Sequence, residues 1–251
     1  MDFDRRLILV TGAGSGIGRA TALALANANA RLLLLGRHVP ALESLFDDIT
    51  ANGAPEPSIL PLDLDGASAA DYARIAQAVE QQFGSLYALV HNAAELGERV
   101  PFEHYLEATW QRVMRVNFEA ATHLTRALLP LLKASDHSHL VFTSSSVGET
   151  PRAYWGAYSV SKYALEGFAK LLAEEFEKTT QIDVTIINPG ATRTRMRQLA
   201  YPAEDPLDSP EPEQVAQRYL RRLNPELGRQ GALRIDRKST RLNSSHQIIS
   251  Y

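Results

Sequence analysis

The sequence predicts a single α/β domain in which a doubly wound parallel sheet carries helices on both faces. Short apolar runs alternate along the chain with longer segments of helical periodicity, as expected for repeated strand–helix–strand units. The apolar runs consist of consecutive Leu, Ile and Val rather than alternating apolar and polar residues, which indicates strands buried on both faces. The length of 251 residues suits one large domain.

Each element of this architecture has its own stretch of sequence. Six apolar runs are predicted to be strands, at residues 6–10, 31–36, 58–63, 86–92, 139–145 and 182–189. Helical segments long enough to cross back to a parallel neighbour begin near Gly16, Pro40, Ser68, Glu103, Gly156 and Glu211. A seventh strand, cut short, is expected at residues 231–235. Residues 202–212 are rich in proline and acidic residues and are predicted to form a mobile excursion.

Composition excludes several classes of function. The 26 Lys and Arg residues are balanced by 29 Asp and Glu residues, so no basic field attracts nucleic acid or an anionic membrane. The absence of cysteine excludes disulfides, thiolate metal sites and a cysteine nucleophile. The first apolar run is too short for a signal peptide, and no run approaches the length of a membrane span. We therefore expect a soluble, cytoplasmic protein with a small-molecule partner.

Residues 236–251 do not continue the pattern. Their sequence, DRKSTRLNSSHQIISY, has no apolar periodicity and resembles the in-frame translation of a sequencing-library adapter. We predict that these residues are read-through that packs nowhere, and that the native domain, residues 1–235, has lost its natural C-terminus. A genuine polar tail is the alternative.

A glycine-rich turn, TGAGSGIG, follows the first predicted strand and opens a helix. Its glycines allow a tight turn, close approach of the backbone to a pyrophosphate, and close packing of the helix on the strand. The helix N-terminus offers free N–H groups and the positive end of its dipole. The turn predicts dinucleotide binding, with a purely structural turn as the alternative. The residues expected at the dinucleotide are Gly12, Ser15, Gly16, Ile17 and Gly18.

The spacing of these glycines, together with the residues described below, resembles the short-chain dehydrogenase/reductase family. The resemblance covers residues 3–235, and the segments at 141–167 and 187–206 look most like the bacterial YciK-type members. It implies a Rossmann-like sheet, a nicotinamide dinucleotide, and a carbonyl or alcohol substrate. It also implies a homodimer or homotetramer, paired through the helices near residues 104–133 and 156–178.

Arg37 bears on the choice of cofactor. A dinucleotide fold that prefers NAD places an acidic side chain at the end of the second strand, where it accepts hydrogen bonds from the adenosine ribose. This chain has Gly36 followed by Arg37 at that point. The forked, cationic donors of an arginine suit a 2′-phosphate, so the sequence predicts NADP(H). An ordinary solvated arginine is the alternative.

Four residues form the candidate catalytic tetrad: Asn117, Ser145, Tyr158 and Lys162. Tyr158 and Lys162 are four residues apart, which places them on one face of a helix. The resemblance implies that Tyr158 is the acid–base and that Lys162, with an oxidised nicotinamide, favours its tyrosinate and also binds the ribose. It further implies that Ser145 stabilises the substrate oxygen and that Asn117 holds a relay water. The choice of Ser145 over its serine neighbours rests on family spacing, and a polar helix residue bonded to backbone is the alternative for Asn117.

Further cofactor contacts are implied by the resemblance. Asp63 and Leu64, after the third strand, match the pair that edges the adenine, and a strand-end turn is the alternative for Asp63. The segments HNAA and NPGATRT match the turns after the fourth and sixth strands, although the first departs mildly from the family pattern. The contacts implied there are Asn92, Ala93, Pro189, Gly190, Thr192 and Thr194.

Two groups of residues have no assigned role. Arg193, Arg195 and Arg197 alternate after the last of these turns and could hold an acidic substrate or a phosphate, with a solvated surface as the alternative. His137 and His139 are two residues apart but lack a third ligand or a carboxylate partner nearby, so we predict no metal.

The sequence thus predicts an NADP(H)-dependent carbonyl reductase or alcohol dehydrogenase. Two other hypotheses stay open. One is a protein of the same fold that senses NADP(H) without turnover, which the intact tetrad argues against. The other is an NAD-linked dehydrogenase of the same mechanism, which Gly36 and Arg37 argue against. The sequence assigns no particular substrate.

Overall fold

The fold is built on a parallel sheet. The structure, a computed structural model, describes residues 1–228, 230 and 233–236. The strands in this part of the chain are β1 Leu7–Thr11, β2 Arg31–Gly36, β3 Ser58–Pro61, β4 Ala88–His91, β5 Ser138–Thr143, β6 Ile182–Ile187 and β7 Leu233–Ile235. They lie in the order β3-β2-β1-β4-β5-β6-β7, and every adjacent pair is parallel.

Helices cover both faces of this sheet. They are α1 Gly16–Asn27, α2 Val39–Ala51, α3 Ala69–Phe83, α4 Glu107–Met114, α5 Ala120–Lys133, α6 Gly156–Phe176, α7 Arg195–Ala200 and α8 Pro212–Arg222. Buried side chains of α1, α2 and α8 pack with one face of the sheet, and those of α3, α5 and α6 pack with the other. The predicted doubly wound sheet is therefore confirmed. Because both faces are covered, every residue of β1, β4, β5 and β6 is buried.

The segment predicted as one long helix near residues 104–133 is divided. A 3₁₀ turn at Phe102–His104 precedes α4, and a π turn at Arg115–Glu119 joins α4 to α5. A π turn accommodates one extra residue in the helix, and Asn117 lies inside it. Residues 202–212, expected to be a mobile excursion, contain a 3₁₀ turn at Pro206–Asp208.

The chain end bears on the predicted read-through segment. Asp236 is hydrogen-bonded: its carboxylate accepts from Asn188 Nδ2 at 3.1 Å and from Arg234 Nε at 3.0 Å. These contacts run against the prediction that the segment packs nowhere from Asp236 onward. Residues 237–251 lie outside the described residues, so the identity of the segment stays a prediction. No helix in the described part of the chain is both long and apolar enough to cross a membrane.

Candidate active site

A cleft of about 560 Å³ opens at the carboxyl ends of the central strands. β1 and β4 are neighbours there, although they are far apart in sequence, so the helices that follow them leave toward opposite faces and open a crevice. Most of the predicted site residues line this cleft: Gly12, Ser15, Gly16, Ile17, Asn92, Ala93, Ser145, Tyr158, Lys162, Pro189, Gly190, Thr192 and Thr194. Those that do not line it are Gly18, Arg37, Asp63, Leu64 and Asn117.

The glycine-rich turn is held by close packing. Gly12 has a φ of +66°, and a Cβ there would lie 2.9 Å from the Ala93 Cα. A Cβ on Gly18 would overlap the carbonyl oxygen of Gly12, so α1 can approach the turn only because that position has no side chain. The Thr11 hydroxyl accepts hydrogen bonds from the Asn92 and Ala93 N–H groups, both at 3.0 Å, which ties the turns after β1 and β4 together.

The N-terminus of α1 is open to an anion. Ser15 is its N-cap residue, but the serine side chain makes no capping hydrogen bond, and the first turn contains no acidic residue. The N–H groups of this turn therefore have no side-chain acceptor, and the positive end of the helix dipole is not neutralised. Ser15 and Gly16 line the cleft, so both features favour binding of an anion at this end of it.

Tyr158 and Lys162 lie one turn apart on α6, as predicted. Both are buried, and the Lys162 ammonium lies 5.7 Å from the centre of the Tyr158 ring. The ammonium donates a hydrogen bond to the carbonyl of Thr143, the last residue of β5, at 2.8 Å. Ser145 follows this strand and is the N-cap of a 3₁₀ turn at Ser146–Gly148. The end of β5 and the start of α6 thus bring the hydroxyl, phenol and ammonium groups to one wall of the cleft.

Burial dominates the electrostatics of this wall. It raises the pKa of Tyr158 to about 12, while the hydrogen bond with the Ser145 side chain acts in the opposite direction. It lowers the pKa of Lys162 to about 8, and the carboxylate of Glu166 opposes that change. The lysine by itself therefore does not bring the phenol toward neutrality. The expectation from sequence also required the positive charge of an oxidised nicotinamide.

Asn117 reaches the site through neighbouring residues. From the π turn, its Oδ1 accepts from the Glu95 N–H at 2.7 Å, and its Nδ2 donates to the Glu95 carbonyl at 2.9 Å. Nδ2 also donates to Ser161 Oγ at 3.0 Å, and that hydroxyl donates to the Tyr158 carbonyl at 2.8 Å. Asn117 therefore connects the loop after β4 to the helix that carries Tyr158, and its amide bonds backbone, as the alternative interpretation expected.

Glu95 is a residue that sequence reasoning missed. One oxygen of its carboxylate lies 2.7 Å from Arg37 Nη1 and the other lies 2.7 Å from Arg112 Nε. Arg37 is thus paired with an acid that comes from β4 rather than from the end of β2. A single charged residue in a loop has no sequence signal for such a pairing, because the strand order alone brings the two loops together.

Asp63 and Leu64 have local structural roles. Asp63 Oδ1 accepts from the Asp65 N–H at 3.1 Å, which is the strand-end turn that was the alternative interpretation. Leu64 packs against the core on the α3, α5 and α6 side and borders a small cavity that Asn117 also lines.

An apolar surface lines the cleft beside Tyr158. Trp155 packs at 5.6 Å from the Tyr158 ring and at 5.9 Å from the Tyr201 ring, measured between ring centres. Leu96 and Met196 pack against the same cluster. Sequence reasoning missed these residues. The sequence could have indicated them only by their closeness along the chain to predicted site residues. Trp155 precedes Tyr158 by three residues, and Leu96 comes two residues after the HNAA segment.

The three alternating arginines have different environments. Arg193 pairs with Glu211 and donates to the Pro206 carbonyl at 2.9 Å, which anchors the 3₁₀ turn of residues 206–208. Arg197 pairs with Glu204 at 2.6 Å. Arg195 lines the cleft and, among the described residues, has no carboxylate within ion-pair distance.

His137 and His139 lie at the amino end of β5, away from the cleft. From the sequence we expected no carboxylate near them, but the structure places one there. Because β6 lies beside β5, Asp183 lies close to His137 and His139, with one ligand atom from each residue within 4.8 Å of the others. The carboxylate is also 3.2 Å from the buried guanidinium of Arg222, a cation that opposes metal binding. His139 Nε2 bonds the Tyr87 hydroxyl at 3.1 Å. The absence of a metal stays a prediction.

Comparisons with known proteins agree with this geometry. The family model for short chain dehydrogenases matches residues 6–205. The chain is 40% identical over 215 residues to the "uncharacterized oxidoreductase YciK" of Escherichia coli strain K12, which covers 86% of this chain and 84% of that protein. A solved structure from Pseudomonas syringae, assigned as a short chain dehydrogenase, superimposes with a TM-score of 0.89 at 46% identity, covering 92% of this chain and 94% of that one.

A second structure, from Escherichia coli CFT073, is complexed with NADPH. It superimposes with a TM-score of 0.88 at 40% identity, covering 92% of this chain and 95% of that one. The predicted family and its YciK-type subgroup are therefore confirmed. With its sheet order, its glycine-rich turn and these matches, the chain belongs to the short-chain dehydrogenase/reductase family of oxidoreductases.

Proposed function

We propose that this protein transfers a hydride between NADP(H) and a carbonyl or alcohol substrate, with Tyr158 as the acid–base. The observation that carries the proposal is the cleft itself, because the candidate acid–base and the anion-binding N-terminus of α1 line the same cavity. A residue that exchanges a proton with the substrate and a turn that binds the dinucleotide must meet in one place for this reaction.

The residues of the cleft fit a dinucleotide. Gly12 and Gly16 both have positive φ and leave room where a side chain would stand. The uncapped first turn of α1 suits a pyrophosphate, and Thr194 lines the same cavity. When bound, the nicotinamide supplies the hydride chemistry, which no side chain of this chain provides.

The catalytic roles follow from the chemistry of the side chains. Tyr158 gives a proton to the developing alkoxide, or takes one from the alcohol in the reverse direction. Lys162, held by the Thr143 carbonyl, brings positive charge near the phenol, and in this proposal it also binds the ribose. Ser145 donates a hydrogen bond to the substrate oxygen. Asn117 positions the loop after β4 and the start of α6, and holds the relay water in this proposal.

NADP(H) is proposed over NAD(H) because of Arg37. Its side chain is 60% exposed at the end of β2, and Gly36 supplies no acid there. The NADPH complex of the related E. coli structure supports this choice. Glu95 supplies an acid from another strand, which keeps the NAD-linked alternative testable. Titration of the parent protein with both cofactors decides, and equal affinities would contradict the proposal.

Substitution of Tyr158 tests the enzyme hypothesis against the sensing hypothesis. Tyr158→Phe keeps the ring and its packing, so NADPH affinity is expected to persist while turnover falls by about 100-fold or more. Lys162→Ala should lose comparable turnover and also weaken NADPH binding. Tyr163→Phe, on the exposed surface of the same helix, is the matched control and should keep the parent rate. If Tyr158→Phe also kept the parent rate, with a panel of carbonyl substrates as the assay, the sensing hypothesis would replace this one.

A cytoplasmic homodimer or homotetramer completes the proposal. The outer face of α6 exposes large apolar side chains, with Val160 at 45% and Leu171 at 55% of their full accessibility. They are 11 positions apart, about three helical turns, so they lie on one stripe. Pairing of this helix between subunits would cover the stripe. Sedimentation should show an oligomer at micromolar concentration, and a monomer alone would contradict this part of the proposal.

A further inference from the structure

Three guanidinium groups converge on the side chain of Tyr201, which lines the cleft. Arg197 lies over its ring at 3.8 Å from the ring centre, and Arg99 lies at 5.0 Å. Arg152 Nη1 donates a hydrogen bond to the Tyr201 hydroxyl at 3.3 Å. One phenol ring thus holds together three cations that would otherwise repel one another.

The carboxylates around this ring do not balance the three charges. Arg197 pairs with Glu204 at 2.6 Å. Within the described residues, no carboxylate lies within 4.0 Å of the guanidinium of Arg99 or of Arg152. Arg152 lines this end of the cleft, and Arg99 stacks on Trp155 and Tyr201, which line it. These two positive charges are therefore not paired with a carboxylate of the described residues, and an anion bound between them would relieve their repulsion.

The position of these cations separates them from the proposed cofactor contacts. The contacts proposed for the phosphates come from the start of α1 and from Arg37 after β2, whereas Arg152 comes from the loop between Ser145 and Tyr158 and Arg99 from the segment after β4. Arg99 stacks on Trp155 at 4.6 Å from the ring centre, beside the proposed acid–base. Arg99 donates to the Ala200 carbonyl and Arg152 to the Tyr201 hydroxyl, which are neutral acceptors, so the phosphates of a dinucleotide at α1 would leave both arginines without an anionic partner.

We propose that the substrate carries an anionic oxygen group, a carboxylate or a phosphate, which Arg152 and Arg99 bind next to Tyr201. This inference rests on the proposed function. The planar, forked donors of arginine suit such groups. The substrate body lies against Trp155 and its apolar neighbours Leu96 and Met196, with its carbonyl carbon at Tyr158. The class is an aromatic or aliphatic carbonyl compound, or the corresponding alcohol, with an anionic end.

A matched set of aldehydes tests this class. 4-Formylbenzoate and its neutral methyl ester share the ring and the position of the aldehyde and differ in charge, and 4-formylphenyl phosphate is the third arm. The ester withdraws electrons more strongly and makes its aldehyde the more reactive, which works against the expected preference. With NADPH, kcat/KM should be at least about 10-fold higher for an anionic aldehyde than for the ester, the size expected of one charge-assisted hydrogen bond. The better of the two anions identifies the group. Arg152→Gln and Arg99→Gln should each reduce the anion-to-ester ratio by about 10-fold.

Arg126→Gln is the control, because this exposed arginine lies on α5 and does not line the cleft. It should leave the ratio at the parent value. A parent ratio near one, or a ratio that Arg152→Gln and Arg99→Gln do not change, would overturn the inference while reduction of the ester keeps the proposed function intact.

A binding assay covers the case in which no aldehyde is reduced. The chain has two tryptophans, so Trp110→Phe leaves Trp155 as the fluorescent reporter beside the proposed anion site. In the presence of NADP⁺, benzoate or phenyl phosphate should quench Trp155 at concentrations at least about 10-fold below those needed for benzamide, and Arg152→Gln should remove the difference. Equal quenching by the three compounds would overturn the anion site. Failed reduction with selective quenching would count against the proposed function alone.

Discussion

The ion pair between Arg37 and Glu95 predicts how cofactor affinity can be changed. Arg37 follows β2 and Glu95 follows β4, and these strands flank β1, so the pair spans the carboxyl end of β1. A 2′-phosphate that binds Arg37 must compete with the Glu95 carboxylate. Glu95→Gln keeps the shape of the side chain and removes its charge, so we expect this variant to bind NADPH more tightly than the parent.

Two contributions determine the size of this effect. The Arg37 side chain is 60% exposed, so the ion pair that must be broken is worth about 0.5–1 kcal/mol. Repulsion between the Glu95 carboxylate and a phosphate a few ångströms away adds roughly 1 kcal/mol in a water-like dielectric. Arg112, 2.7 Å from the other carboxylate oxygen, neutralises part of that repulsion. We therefore expect about 1 kcal/mol, a roughly 5-fold lower Kd for NADPH.

Isothermal titration with NADPH and NADH measures the effect directly. The Kd for NADH should change by less than about 2-fold, since NADH has no 2′-phosphate for the Glu95 carboxylate to repel. Arg37→Ala should cost about 1.5–3 kcal/mol for NADPH only. In that background no ion pair has to be broken, so Glu95→Gln should keep only the relief of repulsion, and its gain for NADPH should be smaller than in the parent. Glu103→Gln, at a residue whose side chain is 79% exposed, is the charge-matched control. Unchanged or weaker NADPH binding by Glu95→Gln would refute the competition.

Three further predictions concern stability. Gly18→Ala should lower the free energy of unfolding by about 1–3 kcal/mol, because the added Cβ overlaps the carbonyl of the glycine turn, and an unchanged urea midpoint would contradict this. Burial lowers the pKa of His91 and of His139 to about 3. Both histidines stay neutral in the fold but gain protons on unfolding below their ordinary pKa, so stability falls as the pH drops from about 6.5 toward 3. The loss is about 2 kcal/mol per histidine at pH 5, measured by urea unfolding at pH 7.5 and 5, and equal midpoints would rule it out. Deleting residues 237–251 should leave Tm within error, and a fall of several degrees would favour a genuine tail.

Much of the fold could be predicted because its signals are local. The apolar runs of β1, β2 and β5 are long enough to show burial on both faces, and the TGAGSGIG turn joins a strand to a helix within eight residues. The division of α4 from α5 could not be predicted, since the π turn at Arg115–Glu119 has no proline or glycine to mark it. Its Asn117 bonds the backbone of Glu95, a residue 22 positions away.

The sequence by itself determined the order of strands and helices, the glycine turn and the one-turn spacing of Tyr158 and Lys162. These follow from residue type and from the 3.6-residue period of a helix, which act between neighbours in the chain. Only the tertiary structure decided which charges meet. The pairing of Arg37 with Glu95 and the convergence of arginines on Tyr201 depend on strand order and on loops that meet across the cleft. Electrostatic energy depends on distance and burial, and neither is set by separation along the chain.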